Sequence, residues 1–458
     1  SVFLASGATL VDAYKWATAL SYIGAFISMY VFLKTLTTRM SALVGAVWYV
    51  WVPYRFNMNQ LRGAIGEEFA WDFWPGVFWA SVLLFQKKYW YGFLTGALLW
   101  ALLVWSHTPL FAMIVPLWML FLAAQWFRTK NFRAIIVSVG SLLFGMGLVA
   151  WTWVPILMER SYLSYNLHEA IFQDNFVSWQ QLLNQPHILD FGLTYQRFYA
   201  IGWPILFIAL LTLLTRPNVL QWIVLAMGAF SVYLMRPASI PLWETVPLLS
   251  PTINFPQRFL ALTGFCGSIL AALFVQKHKK STVLLSFLVI LLGIPFITLN
   301  QNREPNLAVL NSPVLTTTDV WGEFRPNTAP ADIKENHNYY ASLPLITIDP
   351  APKTAPTCTQ TSISLNCTVA TSDPATVSIR QLFFPGWIAS ADGKSIPVRL
   401  GQYGLIEFSV PHAADTVSLR YHGTPVANTA KVISLGFLCC YLLLGIKTFY
   451  TGRTRKKS

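Results

Sequence analysis

Residues 53–72 hold two arginines, three carboxylates and several amides: Pro53-Tyr54-Arg55-Phe56-Asn57, then Gln60-Leu61-Arg62-Gly63-Ala64-Ile65-Gly66-Glu67-Glu68, then Asp72. In an otherwise apolar chain such groups are costly to bury, and they usually serve a cavity or a bound ion. Glu68 and Asp72 share a helix face at i, i+4, so their repulsion calls for Arg62, Arg55 or a bound divalent cation. A plainer role fits the same residues, since carboxylates at a helix N-terminus are favoured by its dipole. Ser106-His107-Thr108-Pro109 is a polar break between two apolar runs. His107 could donate to a phosphate or do acid/base work near neutral pH, or simply close a helix turn. In Asn254-Phe255-Pro256-Gln257-Arg258-Phe259, Arg258 opens an apolar run. Its guanidinium suits bidentate phosphate contact, and equally suits snorkelling to lipid headgroups. The sequence has no P-loop, no His-Glu-x-x-His zinc motif and no Gly-rich dinucleotide fingerprint. Nor does it contain matched Gly/Pro-interrupted helices of the kind that mark secondary transporters.

The elements that must position these residues are apolar. The chain is 55% hydrophobic and 11% charged, with a mean hydropathy of +0.50, which places it among α-helical polytopic membrane proteins. Eleven candidate spans follow: Ala13 to Leu33, Ser41 to Val52, Phe69 to Phe85, Tyr89 to Trp105, Pro109 to Phe127, Ala134 to Pro155, Phe198 to Leu214, Val219 to Leu234, Phe259 to Val275, Val283 to Leu299 and Val432 to Tyr450. The second is short before Pro53 and is read as a short or broken helix.

Charge sets the expected topology. Fifteen of the 32 Lys and Arg lie in Lys34 to Arg39, Lys87 to Lys88, Arg128 to Arg133, Arg216, Lys277 to Lys280 and Arg453 to Lys457, segments without a single Asp or Glu. Short basic loops stay cytoplasmic, so the C-terminal tail is expected inside and all 19 acids outside. The formal charge of +13 then reflects topology and contact with anionic lipid, not nucleic-acid binding. Odd parity places Ser1 outside, and the expectation is that at least one helix and its outer loop precede it.

Domain organisation is expected as a transmembrane region over 1–299 with outer loops 156–197 and 235–257, an extracytoplasmic mostly-β domain over 300–431, and a final helix with a basic tail over 432–458. The first loop, with Tyr162, His168, Asp174 and Trp179, is long enough to include a short interfacial helix. Within the β domain, Thr376 to Phe384, Trp387 to Ala391, Ser395 to Leu400, Gly404 to Val410 and Thr416 to Tyr421 alternate as strands of a small sandwich, with a tight hairpin at Asp392-Gly393. Residues 300–350 read as looser. Cys358 and Cys367, nine apart in an outer domain, are expected to bridge, with free thiols as the alternative. Cys266, Cys439 and Cys440 read as packing residues.

Three motifs together resemble a family: Tyr54-Arg55 with Leu61-Arg62-Gly63-Ala64 and Glu67-Glu68, then Ser106-His107, then Phe255-Pro256-x-Arg258-Phe259. They are similar to the bacterial 6-pyruvoyl-tetrahydropterin-synthase-related multispanning membrane proteins, which in turn resemble GT-C fold glycosyltransferases. Phe383-Phe384-Pro385-Gly386-Trp387 through Asp392-Gly393-Lys394 is similar to the outer β domain of YfhO-type membrane proteins. The resemblance implies a bacterial inner-membrane enzyme of cell-envelope glycan or glycolipid assembly. It would transfer a sugar from a polyprenyl-phosphate-linked donor to a glycan, lipid or protein acceptor at the outer face.

Arg55, Arg62, His107 and Arg258 would bind the donor. Family enzymes carry their catalytic acid in the first outer loop, and the chain is expected to begin at the end of that loop. Asp12 is not assigned the role, and Glu67 and Glu68 are candidates by position alone. No ligand spacing demands a metal, although a divalent cation near Glu67, Glu68 and Asp72 is an option. Trp387 and Tyr403 could stack on sugar, with core packing as the other role for Trp387. Two further readings stay open, a lipid or polysaccharide transporter and a non-catalytic assembly protein.

Overall fold

The computed structural model describes residues 6–162, 171–183, 199–246, 249–278, 280, 327–328, 343–352, 354–361, 363–371, 374–411 and 413–454. The chain divides into two units. One holds Ser1–Val149, Glu169–Glu304 and Gly436–Ser458, the other Ala150–His168 and Pro305–Leu435.

The first unit is helical. Its main elements are α1 (Leu10–Leu33), α2 (Arg39–Val50), α3 (Ile65–Phe85), α4 (Tyr89–Ser106), α5 (Thr108–Thr129), α6 (Phe132–Leu148), and, after α7 (Ala150–Met158) of the other unit, α8 (Trp203–Leu214), α9 (Val219–Leu234) and α10 (Phe259–Lys277). Side-chain caps fix several starts, because the first amides of a helix lack partners. Thr9 accepts from the Asp12 amide, Thr38 from Ser41 and Asn131 from Ala134, and Asn218 forms a reciprocal capping box with Gln221. Trp16, Leu20, Ile23 and Ile27 recur on one exposed face of α1, the apolar outer stripe that a bilayer tolerates and water does not.

Helix α10 is the opposite case: every residue from Phe259 to Val275 is buried. Small side chains allow this. A Cβ added at Gly264 would sit 2.8 Å from Val52 and 3.2 Å from Trp71, so the helix packs closely against its neighbours. Its surroundings are aromatic, with Phe265 in ring contact with Phe32, Tyr49, Trp74 and Phe78.

Five helices among the described residues are long and apolar enough to cross a membrane, or up to seven if each bent pair is one span. Several of the eleven expected spans take another form. The second is the 12-residue α2, too short to span unaided. Ala134 to Pro155 breaks at Val149 into α6 and α7. The α8 helix begins at Trp203, five residues later than expected, with Pro204 in its first turn, a position where a missing amide costs nothing. Val283 to Leu299 lies outside the described residues. Loop 235–257 is largely helical, through short turns at Pro237–Ser239, Ile240–Thr245 and Leu249–Ile253. The described part of loop 156–197 has short helices at Ile171–Asp174 and Trp179–Leu183.

In the second unit, nine strands among the described residues form two antiparallel sheets. They are β1 (Ile346–Asp349), β2 (Thr357–Gln360), β3 (Ser364–Thr368), β4 (Ala375–Leu382), β5 (Trp387–Ala391), β6 (Lys394–Ile396), β7 (Arg399–Leu400), β8 (Leu405–Val410) and β9 (Thr416–Tyr421). The sheet orders are β1-β4-β8-β7 and β2-β3-β9-β5-β6. Ile346, Val377, Phe408, Leu365, Ala389 and Leu419, drawn from both sheets, share one core. The expected hairpin stands at Asp392-Gly393, both at positive φ. Ser395 to Leu400 is not one strand: Pro397, which lacks an amide to donate, separates β6 from β7. Strands β1 to β3 add to the five expected. Cys358 and Cys367 are opposed in the β2–β3 ladder and joined by a disulfide. The last helix, α11 (Pro425–Thr454), follows β9. Near its start Thr424 donates to the buried Glu159 carboxylate that follows α7.

A candidate site of buried ion pairs

Six of the charged residues picked out above converge in the helical unit. The chain leaves α2 through a four-residue helix, Pro53–Phe56, and a π-helical turn, Asn57–Arg62, which Gly63 ends at φ +61°. A widened turn of this kind is frequent at functional positions, and the left-handed closure suits glycine. The turn swings the chain back so that Arg55 and Arg62 face the first two turns of α3.

Arg55 is fully buried. Its Nη2 lies 3.1 Å from Asp72 Oδ1 and 3.6 Å from Glu68 Oε1, and donates to Ser21 Oγ on α1 at 2.8 Å. The guanidinium also lies over the Tyr22 ring, 4.4 Å from its centroid, a contact that stabilises a cation away from water. The repulsion between Glu68 and Asp72 is therefore relieved by Arg55. Arg62 does not take part, because it turns to Glu67.

Glu67 has two cations. Arg62 Nη1 is 3.1 Å from Oε2 and Arg258 Nε is 3.6 Å from the same oxygen. Tyr54 donates to Oε1 at 2.5 Å and accepts from Arg62 Nη1 at 3.1 Å. Arg258, at the start of α10, also donates to the Ile253 carbonyl and packs over Phe255. It is thus held from three sides rather than simply snorkelling towards solvent.

His107 closes the helix turn. Its Nδ1 accepts from the Leu110 amide at 3.3 Å, capping α5, which puts the proton of a neutral ring on Nε2. It remains within electrostatic reach of Glu67, Arg258 and Arg62. The Ser106-His107 break is also held tightly against the start of α3: a Cβ on Gly66 would come 2.6 Å from the Ser106 carbonyl oxygen.

By charge, the site has two halves. Arg55 with Glu68 and Asp72 sums to −1 and is the deeper half. Glu67 with Arg62 and Arg258 sums to +1, and its arginines are the more exposed, at 17% and 11% of their side chains. Buried ion pairs survive only with close partners, because desolvation of each charge is costly. Glu68 Oε1 accepts no hydrogen bond among the described residues, whereas both Glu67 oxygens are engaged. The three carboxylates do not converge on one point, and no group of three or more His, Cys, Asp and Glu among the described residues is arranged to hold a metal. Asp12 is a helix-start residue, bonded to the Thr9 hydroxyl at 2.7 Å.

Sequence reasoning missed Ser21 and Tyr22, which look like ordinary residues of an apolar helix. It also left an apolar groove of about 400 Å³ unseen, bounded by α8, α9 and α10 and lined by Ile205, Leu213, Trp222, Val232, Cys266 and Leu270. Thr263, at the same groove, bonds Ser231 across it at 2.7 Å and lies five residues along the chain from Arg258.

A family model described as "6-pyruvoyl-tetrahydropterin synthase related domain; membrane protein" matches residues 3–305. That match takes in every residue of the charge cluster and ends before β1. No curated protein and no solved structure matches the chain.

Proposed function

The chain belongs to the 6-pyruvoyl-tetrahydropterin synthase related family of membrane proteins, and from that premise we propose that it is a membrane glycosyltransferase of GT-C type, using a polyprenyl-phosphate-linked sugar donor. The observation that carries this reading is the excess positive charge of the Arg62–Glu67–Arg258 half. In a low-dielectric setting two guanidiniums on one carboxylate favour an anion at their exposed edge, and a phosphate is the anion for which arginine geometry is best suited. The groove beside α10 supports a lipid-borne phosphate, since its lining is apolar and includes Thr263, five residues along the chain from Arg258.

In this reading Arg62 and Arg258 bind the donor phosphate and stabilise the charge that grows on it as the glycosidic bond breaks. Glu67 holds the two arginines in position. Glu68, with an unbonded oxygen, is the better placed of the two carboxylates to take a proton from an acceptor hydroxyl. The eleven-span bacterial inner-membrane topology with the β domain outside and the C-terminus in the cytoplasm belongs to the same proposal, as do glycan, lipid or protein as acceptor and roles in cell-envelope assembly.

The test is transfer by the purified protein in proteoliposomes, supplied with a panel of polyprenyl-phosphate sugars and with glycan, lipid and protein acceptors. Wild-type protein should release polyprenyl phosphate, and Arg258→Ala or Arg62→Lys should lower turnover about tenfold or more, the equivalent of ~1.4 kcal/mol of lost phosphate contact. Unchanged turnover in both variants would remove the arginines from the site. Donor movement across the bilayer with the sugar still attached would replace the enzyme by a transporter.

A further inference from the structure

A second site stands in the β unit, on the face of sheet β1-β4-β8-β7 that points away from the sandwich core. Strand alternation puts Thr376, Ser378 and Arg380 of β4 on that face, beside Thr347 and Asp349 of β1 and Glu407 of β8. The register sets them in rows, with Asp349 opposite Thr376, and Thr347 opposite Ser378, which is opposite Glu407. These residues line a cavity of about 300 Å³. Tyr403 completes the lining from the turn between β7 and β8, and is 42% exposed. It has φ +58° and ψ 22°. For a bulky aromatic residue this is a true outlier, of the kind retained where the side chain's placement matters.

Among the described residues the charges in and beside the cavity cancel. Glu407 is held by Arg399 through bonds of 2.9 and 2.6 Å, Arg380 donates to the Leu343 carbonyl at 2.8 Å, and with Asp349 these make two acids and two bases. An anionic or cationic ligand gains nothing from such a lining. A row of hydroxyls, a carboxylate and a guanidinium beside an aromatic ring instead matches a ligand with many hydroxyls and one apolar face. We propose that this face binds a neutral saccharide, with Tyr403 against the sugar ring and Thr347, Thr376, Ser378 and Asp349 on its hydroxyls. The proposal does not depend on the donor site in the helical unit, and holds for an enzyme or for a non-catalytic protein.

The experiment uses the full chain in nanodiscs, titrated with maltotetraose, cellotetraose and chitotetraose, and with oligogalacturonate as the anionic comparison. The expected result is binding of at least one neutral oligosaccharide, lost about tenfold or more in Tyr403→Gly and in the double variant Thr376→Val/Ser378→Ala. Because glycine relieves the left-handed backbone, Tyr403→Gly should leave the β unit as resistant to thermal unfolding as wild type, or more so. Absence of binding to every neutral sugar, preference for oligogalacturonate, or full affinity in Tyr403→Gly would each overturn the assignment. A lower unfolding temperature with unchanged affinity would make Tyr403 a structural residue instead.

Discussion

Arg55 and Asp72 meet at 3.1 Å with both side chains out of solvent, and Arg55 is the sole guanidinium within ion-pair distance of Glu68 as well, among the described residues. One cation thus holds two carboxylates one helical turn apart. Arg55→Met would leave both acids buried without a counter-charge, and removing one partner of a buried pair costs about 3–5 kcal/mol. Asp72→Asn should cost less, because Arg55 keeps Glu68. The order of thermal unfolding temperatures in detergent, wild type above Asp72→Asn above Arg55→Met, checks this. Arg55→Lys should not restore wild-type stability, since a compact, strongly hydrated ammonium loses the flat guanidinium's contact with the Tyr22 ring.

Gly66 tests the link between the ion pairs and the α4–α5 break. An added methyl meets the Ser106 carbonyl at 2.6 Å, and neither backbone can yield locally. Gly66→Ala should lower stability by about 1–3 kcal/mol, as overpacking does, and lower donor use by a larger factor because Glu67 is the next residue. Equal losses in thermal stability and in donor binding would argue that the strain is absorbed without moving Glu67.

The Asp392 turn predicts a pH dependence. Its carboxylate accepts from the Thr416 amide and hydroxyl, both at 2.9 Å. The Thr416 amide, then the Thr416 hydroxyl, hold the Asp392 carboxyl below its usual range. A folded value below the unfolded one means that the stabilisation is complete above the unfolded value, about 3.9. It is lost as the pH falls through the folded value. Protection against hydrogen exchange at the β5–β6 hairpin and β9, relative to the intrinsic rate at each pH, should therefore fall on acidification below about pH 4. Asp392→Asn, which tolerates the positive φ, should flatten that dependence.

The disulfide closes a short loop, so its contribution is limited: the chain-entropy estimate gives just under ~3 kcal/mol. Cys358→Ser/Cys367→Ser should loosen β2, the outermost strand of its sheet, while leaving the β4–β8 pairing intact. Peptide-level hydrogen exchange would show faster exchange over 357–368 and unchanged exchange over 375–382. Loss of protection across both sheets would mean that the bridge holds the whole sandwich.

What could be read from the sequence follows from range. Arg55, Arg62, Glu67, Glu68 and Asp72 lie within 18 residues, and ionisable groups in so apolar a setting stand out. Their pairing was less legible. That Arg55 rather than Arg62 serves Glu68 and Asp72 depends on the π-helical turn, whose widening leaves no compositional mark. Ser21 and Tyr22 enter through packing of α1 against α3, and no local pattern records that. In the β unit, the alternating strands from Thr376 to Tyr421 and the Asp-Gly hairpin carry their own signal. Strands β2 and β3 are mostly Thr, Ser, Asn, Gln and Cys, and their identity comes from pairing, β3 with β9 and β2 with β3.

The order in which the chain is made gives the ion-pair site a sequence of assembly. Arg55, Arg62, Glu67, Glu68 and Asp72 emerge almost together, so Arg55 can pair with Glu68 and Asp72 as soon as α3 forms. Arg258 arrives 191 residues after Glu67 (258 − 67), at the head of a helix that is buried on every side. Until α10 takes its central place, Glu67 has Arg62 alone and the excess positive charge does not exist. A protein truncated before α10 would keep Arg62 and Glu67 as a single balanced pair and would lack the second guanidinium.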